Sequence, residues 1–288
     1  MIITGFVRTN SFKKRELSSL TQCYSRKSVV SSLLRLTVPF AIALLVEEIL
    51  VAVTYTQSAQ VVTVVAFLQE AVHNFFVGGV GPGSYYYPVM MQLIFIFPIV
   101  YLTIAHYGKQ GLYGVIIFNA VFELLRYEYE LNLECYRLLI FRYLSLVAVG
   151  IYLNLFDVKK NDFVLLGFAS VSIIYRLLLR FDLYSPKILS FWSGSDFLAT
   201  FFLMPIFYVL LKKINLKCKF LEAVGQASYN VFLVQMVYYT YCTGLVKSFI
   251  TNECILFIFT LFFCVIAGYI FYLVESRITA GIKRRLIS

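Results

Sequence analysis

The stretch YPVMMQLIFIFPIVYLTIAH, Tyr87–His106, runs for 20 residues without a Lys, Arg, Asp or Glu. As a helix rising about 1.5 Å per residue it would reach about 30 Å, the thickness of a bilayer's hydrocarbon core. It therefore reads as a membrane span. Working outward, seven further apolar runs are bounded by charges or turn residues: Thr37–Tyr55, Leu112–Leu125, Leu138–Phe156, Phe163–Leu179, Phe197–Leu211, Val224–Val246 and Ile255–Val274. The expected fold class is all-α, a polytopic transmembrane helix bundle of about eight spans. One more apolar stretch, Val61–Val77, is interrupted by Gln69, Glu70, His73 and Asn74, and reads as an interfacial or re-entrant segment.

The composition agrees. Of 288 residues, 60% are hydrophobic, 18% aromatic and 14% charged, and the mean hydropathy is +0.81. A soluble domain carries about 25% charged residues, so an ordinary cytosolic globule is excluded. The first 28 residues are basic and contain no apolar core of signal-peptide length. Six cysteines are scattered without CxxC spacing, so neither a metal site nor a disulfide framework is expected. No repeat and no Pro/Ser-rich linker divides the chain, and residues 1–288 read as a single membrane domain.

A net charge of +10 raises the possibility of nucleic-acid binding, but the distribution argues otherwise. With the basic N-terminus in the cytoplasm, successive loops alternate, and 18 of the 25 Lys and Arg residues fall on the cytoplasmic side. The others, Arg126, Arg137, Arg142, Arg176, Arg180, Lys187 and Lys247, lie in outer loops or outer helix ends. Both termini are expected inside. The charge is a topology signal and a weak attraction to membrane lipid, with no nucleic-acid partner.

Ionisable groups cost about 2.5 to 3.5 kcal/mol each at the centre of a lipid-spanning helix, so their positions are informative. Glu47 and Glu48 sit mid-span in Thr37–Tyr55. Glu123 and Arg126 end the third span, three residues apart and able to pair. Arg142 lies one turn into the fourth, and Arg176, Arg180 and Asp182 close the fifth. On the expected topology most of these gather in the outer half of the membrane, which implies a polar chamber opening outward. Four glycines and two prolines in GGVGPGSYYYPVMMQ, Gly78–Gln92, make a compact turn into a helix, with Pro88 in its first turn. The two histidines, His73 and His106, have no neighbouring nucleophile and read as interfacial residues. In VGQASYNVFLVQMVYY, Val224–Tyr239, the polar Ser228, Tyr229 and Gln235 either bridge helices or face a substrate.

Five segments in order resemble the acyltransferase 3 family, bacterial integral-membrane O-acyltransferases that modify surface sugars. They are LLRLTVPF (Leu33–Phe40), GPGSYYYPVMMQLIFIFP (Gly81–Pro98), FELLRY with YRLLIFRYLSLVAVGIYL (Phe122–Tyr127, Tyr136–Leu153), FWSGSDFLATFFLMPIFY (Phe191–Tyr208) and VGQASYNVFLVQ (Val224–Gln235). The likeness covers nearly the whole chain. It implies transfer of an acyl group, commonly acetyl, from cytoplasmic acyl-CoA to a hydroxyl of a polysaccharide or a lipid-linked glycan. Acetyl-CoA would be the donor substrate, with no bound cofactor and no metal.

On this resemblance Glu48, Glu123 and Arg142 are the candidate catalytic residues, with Tyr85, Gln92, Tyr229 and Gln235 binding the acceptor and Arg35 the CoA phosphates. The family has ten helices, and MIITGFV (Met1–Val7) resembles only the tail of its second. The family's acyl-transfer His, carried on the first helix, has no matching position here. The domain is therefore expected to be N-terminally incomplete and inactive by itself. The competing readings are a transporter or flippase of a glycan intermediate and a polysaccharide polymerase.

Overall fold

The computed structural model describes residues 1–57, 64–156 and 218–287, with seven isolated helical positions between Gly167 and Leu178. The expected spans Phe163–Leu179 and Phe197–Leu211 fall mainly or wholly outside the described residues. So do Arg176, Arg180, Asp182 and the segment Phe191–Tyr208. Among the described residues all regular structure is helical. In chain order the helices are α1 (Ile2–Lys14), α2 (Leu20–Cys23), α3 (Arg26–Gln57), α4 (Val64–Val77), α5 (Tyr86–Tyr107), α6 (Lys109–Glu128), α7 (Leu133–Arg137), α8 (Leu144–Leu155), α9 (Lys219–Gln226), α10 (Ser228–Val237), α11 (Thr243–Phe249) and α12 (Glu253–Ile287). A 3-10 turn, Ile140–Tyr143, precedes α8, and a π-helical turn, Tyr238–Cys242, joins α10 to α11.

Three segments are long and apolar enough to cross a membrane: Arg26–Val53, Tyr86–Tyr107 and Glu253–Leu286. By length and composition this is a membrane protein. Two of these helices overrun their apolar runs: α3 starts eleven residues before Thr37, and α12 continues past Val274 to Ile287.

Two expected spans are interrupted. In Leu138–Phe156 the regular helix begins only at Leu144, because side chains of α5 and α6 satisfy the backbone before it. Gln92 Nε2 donates to Leu138 O at 2.6 Å, and its Oε1 accepts from Ile140 N at 3.0 Å. Asn119 does the same one turn later, donating to Phe141 O at 2.9 Å and accepting from Ser145 N at 3.1 Å. In Val224–Val246 the helix breaks at Ala227 and widens at Tyr238–Cys242. There Thr240 Oγ1 donates to Met236 O at 2.9 Å and Thr243 Oγ1 to Tyr238 O at 3.2 Å, and these hydroxyls satisfy carbonyls where the regular ladder is disturbed.

The chain packs as two compact units interleaved in sequence, 1–25 with 92–216 and 26–91 with 217–288. In the first unit α8 is the centre, buried at every position from Leu144 to Asn154. Helix α1 lies directly against it. A Cβ on Gly5 would stand 2.4 Å from Val147 O, and one on Gly150 would stand 2.1 Å from Ile2 O. Asn154 Nδ2 fastens the pair by donating to Phe6 O at 3.0 Å. Phe12 packs edge-on against Phe97 and Tyr101, with centroids 5.0 and 5.2 Å away.

The second unit is built on α3, α10 and α12. Phe40 stacks on Tyr87 at 3.8 Å, and Gly268 of α12 sits so close to Val231 of α10 that a Cβ would meet its Cα at 2.4 Å. Glu275 of α12 is buried with its carboxylate satisfied by Asn230 Nδ2 at 3.4 Å and by the Thr279 hydroxyl.

Gly150→Val tests the α1–α8 seam. Overpacking a close-packed core costs about 1 to 3 kcal/mol, so the melting temperature in detergent should fall by several degrees. Gly114→Ala, on α6 with nothing within 4 Å of the added Cβ, should leave it unchanged or slightly raised.

Candidate functional site

The turn between α6 and α8 concentrates charge in the first unit. Glu123, near the end of α6, has no solvent exposure, and Tyr136 of α7 is 1% exposed. The Tyr136 hydroxyl donates to Glu123 Oε1. Arg126, one turn after Glu123, places Nε 3.4 Å from Glu123 Oε2, an ion pair without hydrogen-bond alignment. Its guanidinium carbon lies 4.7 Å from the Tyr136 ring centroid, and that of Arg142 lies 5.2 Å from the same centroid and 5.4 Å from that of Tyr143. One phenol thus carries a carboxylate on its hydroxyl and two guanidinium groups on its ring, where cation–π attraction contributes about 0.5 to 2 kcal/mol each.

Burial pushes the Tyr136 phenol well above its ordinary range, and the Glu123 carboxylate pushes it further. The hydroxyl therefore stays protonated and remains a donor. Beside this cluster an open cavity of about 400 Å³ is lined by Arg126, Glu128, Glu130 and Leu131. Arg126 belongs to both, so the buried charges communicate with an opening lined mainly by polar and charged side chains. Glu130 turns the chain with a left-handed φ of 45°.

Of the residues expected from the sequence, Glu123 and Arg142 are brought together here. Gln92 is in the same unit, but both ends of its amide are committed to the backbone of Leu138 and Ile140. It positions the turn that presents Arg142. The sequence does not single out Tyr136, because it meets Glu123 across a turn and no helical or strand period links positions 13 apart. The local signal is a Tyr two residues after Glu134 and followed by Arg137 and Arg142.

The remaining expected residues are in the second unit. Glu48 accepts from Asn74 Nδ2 at 3.0 Å through Oε1, and its Oε2 is buried without a hydrogen-bond partner. Its neighbour Glu47 accepts from Val80 N at 3.3 Å and likewise leaves one oxygen unpartnered. No Lys or Arg forms an ion pair with either among the described residues.

The glycine-rich turn packs against these groups. Gly78, Gly79, Gly81 and Gly83 all have φ between 91° and 105°. A Cβ on Gly79 would stand 2.8 Å from Glu47 Oε2, and one on Gly81 would stand 2.0 Å from Thr240 Oγ1. Glycine is required there by the left-handed conformation. Tyr85 ends this turn, half-buried. The Tyr229 hydroxyl donates to Leu36 O at 3.1 Å, so it bridges α10 and α3. Gln235 and Arg35 are exposed.

No family model matches the chain, and no curated protein or solved structure is detectably similar to it. His73 and His106 are both exposed, with His106 in the last turn of α5. Among the described residues no group of three or more His, Cys, Asp or Glu could hold a metal ion.

Tyr136→Phe removes the donor from a carboxylate with no access to water. Leaving such a group unsatisfied costs about 1 to 3 kcal/mol, and unfolding in detergent should register a loss of that order. Glu123→Gln combined with Tyr136→Phe should cost less than the sum of the two single changes. Strict additivity would mean that the pair does not interact.

Proposed function

We propose that this chain is an integral-membrane O-acyltransferase, or the acceptor-facing part of one, of the acyltransferase 3 kind. Its reaction moves an acyl group, most simply acetyl, from cytoplasmic acyl-CoA to a hydroxyl of a cell-surface polysaccharide or its lipid-linked precursor. The proposal includes about eight spans, a bacterial plasma membrane and both termini in the cytoplasm, supported by the bias of Lys and Arg toward one set of loops.

The observation that carries the reading is the Glu123–Tyr136–Arg126–Arg142 cluster and the cavity beside it. Acyl transfer to a sugar needs an acceptor hydroxyl oriented by hydrogen bonds, a group to take its proton, and positive charge where the thioester carbonyl becomes an oxyanion. A cavity of about 400 Å³ is large enough for a sugar residue. In the proposed mechanism Glu123 accepts a hydrogen bond from the sugar hydroxyl, while Tyr136 holds the carboxylate in place. Arg126 and Arg142 face the developing negative charge. The hydroxyl oxygen forms the new ester bond, the C–S bond of the thioester breaks, and CoA leaves as the thiol after taking up a proton. In the second unit Arg35, exposed on α3, is proposed for the CoA phosphates, and Glu48 and Tyr85 for acceptor contacts. The His that the family uses for transfer has no counterpart in residues 1–288.

Gene disruption in the producing cell discriminates the readings. The expected result is a surface polysaccharide of normal amount and chain length that lacks its O-acyl groups by NMR. Complementation with Glu123→Gln or Arg142→Ala should fail to restore acylation, although both proteins reach the membrane at wild-type level. Polysaccharide that keeps its O-acyl groups but changes in amount or length would instead favour a flippase or polymerase.

A further inference from the structure

Helix α4 has three faces of different chemistry. At 100° per residue, Leu68, Val72 and Phe76 fall within an arc of about 80°, and all three are exposed. The adjoining arc carries Gln69, Glu70 and His73, also exposed. The third face packs inward: Asn74 is buried and donates to Glu48, and Phe75 meets Phe40 and Tyr87 with ring centroids 5.8 and 5.6 Å away.

A face toward protein, a face of exposed hydrocarbon and a face of exposed polar groups, all running along one axis, suit a helix with a different medium on each side. The inward face packs in the same unit as α3, which is long and apolar enough to cross a membrane and itself exposes Leu45, Ile49 and Val53. Were α4 to span, Gln69, Glu70 and His73 would lie in acyl chains with no protein cover.

We propose that α4 lies in the plane of the membrane–water interface, its Leu68–Phe76 stripe in the acyl-chain boundary and its Gln69–His73 stripe in the aqueous headgroup layer. The partner of this surface is lipid. Because the same helix carries Asn74, the depth at which lipid holds α4 also sets the position of the donor to Glu48. This proposal concerns membrane placement and stands whether or not the chain transfers acyl groups.

The test is a nitroxide scan of the full chain in vesicles of phosphatidylcholine and phosphatidylglycerol, with the accessible Cys135, Cys218, Cys242 and Cys254 changed to Ser. Labels go on Leu68→Cys, Gln69→Cys, Val72→Cys, His73→Cys and Phe76→Cys. All five native side chains are exposed, so folding should survive. The expected pattern is oxygen accessibility at 68, 72 and 76 at one common shallow depth, with a water-soluble nickel complex reaching 69 and 73. Depth rising steadily from 68 to 76 would show a spanning helix and overturn the proposal. Protection of 68, 72 and 76 from both reagents would show a protein partner on that face, and nickel access at all five would place the helix in water. Either result also overturns it.

Discussion

A carboxylate shut away from water inside an apolar protein must be matched by donors or positive charge, and the arrangement around Glu123 follows from that constraint. Glu123 is fully buried near the end of α6. The chain answers with a phenol hydroxyl from α7 and an arginine three residues along the same helix. A second arginine reaches the phenol ring from the 3-10 turn before α8. Because α7 and the turn must both face α6, Leu138–Tyr143 cannot continue as regular helix. Its backbone groups are taken up by Gln92 and Asn119 instead. The break in the fourth expected span thus follows from the way the charges are held.

The second unit meets the same constraint differently. Glu275 is matched by an amide and a hydroxyl, a closed arrangement that ties α12 to α10. Glu47 and Glu48 receive one donor each, from the glycine-rich turn and from α4, and each retains an unpartnered oxygen. The turn lies against Glu47, and position 79 takes a φ of 91° that only glycine adopts without strain. Complete matching marks a structural tie, and incomplete matching marks groups with capacity left for a ligand or a proton.

How far this was legible in the sequence depends on the range of each interaction. Helical class and the spans at α3, α5 and α12 follow from local apolar length, which a single pass along the chain detects. The pairing of Glu123 with Arg126 was legible because three residues is a helical neighbour distance. The role of Tyr136 was not, since it meets Glu123 across a turn. Nor was the fate of Gln92: an amide in an apolar helix looks the same whether it binds a sugar or braces a backbone. Tyr229 was left open between bridging helices and facing a substrate, and its hydroxyl bridges α10 to α3. The count of eight spans rested on hydropathy windows alone. The structure shows how side-chain bonding to carbonyls accompanies interruption of such a window, as at Tyr238–Cys242.

Sidedness tests the account most directly, since the proposed site has meaning only if its opening meets the exterior. Glu130→Cys, at the rim of the cavity beside Arg126, in a protein whose accessible Cys135, Cys218, Cys242 and Cys254 are changed to Ser, can be exposed to a membrane-impermeant maleimide on intact cells. The account predicts full labelling from outside, with no further gain on permeabilisation. Labelling that appears only once the membrane is breached would place the charged cluster at the cytosolic face and contradict it.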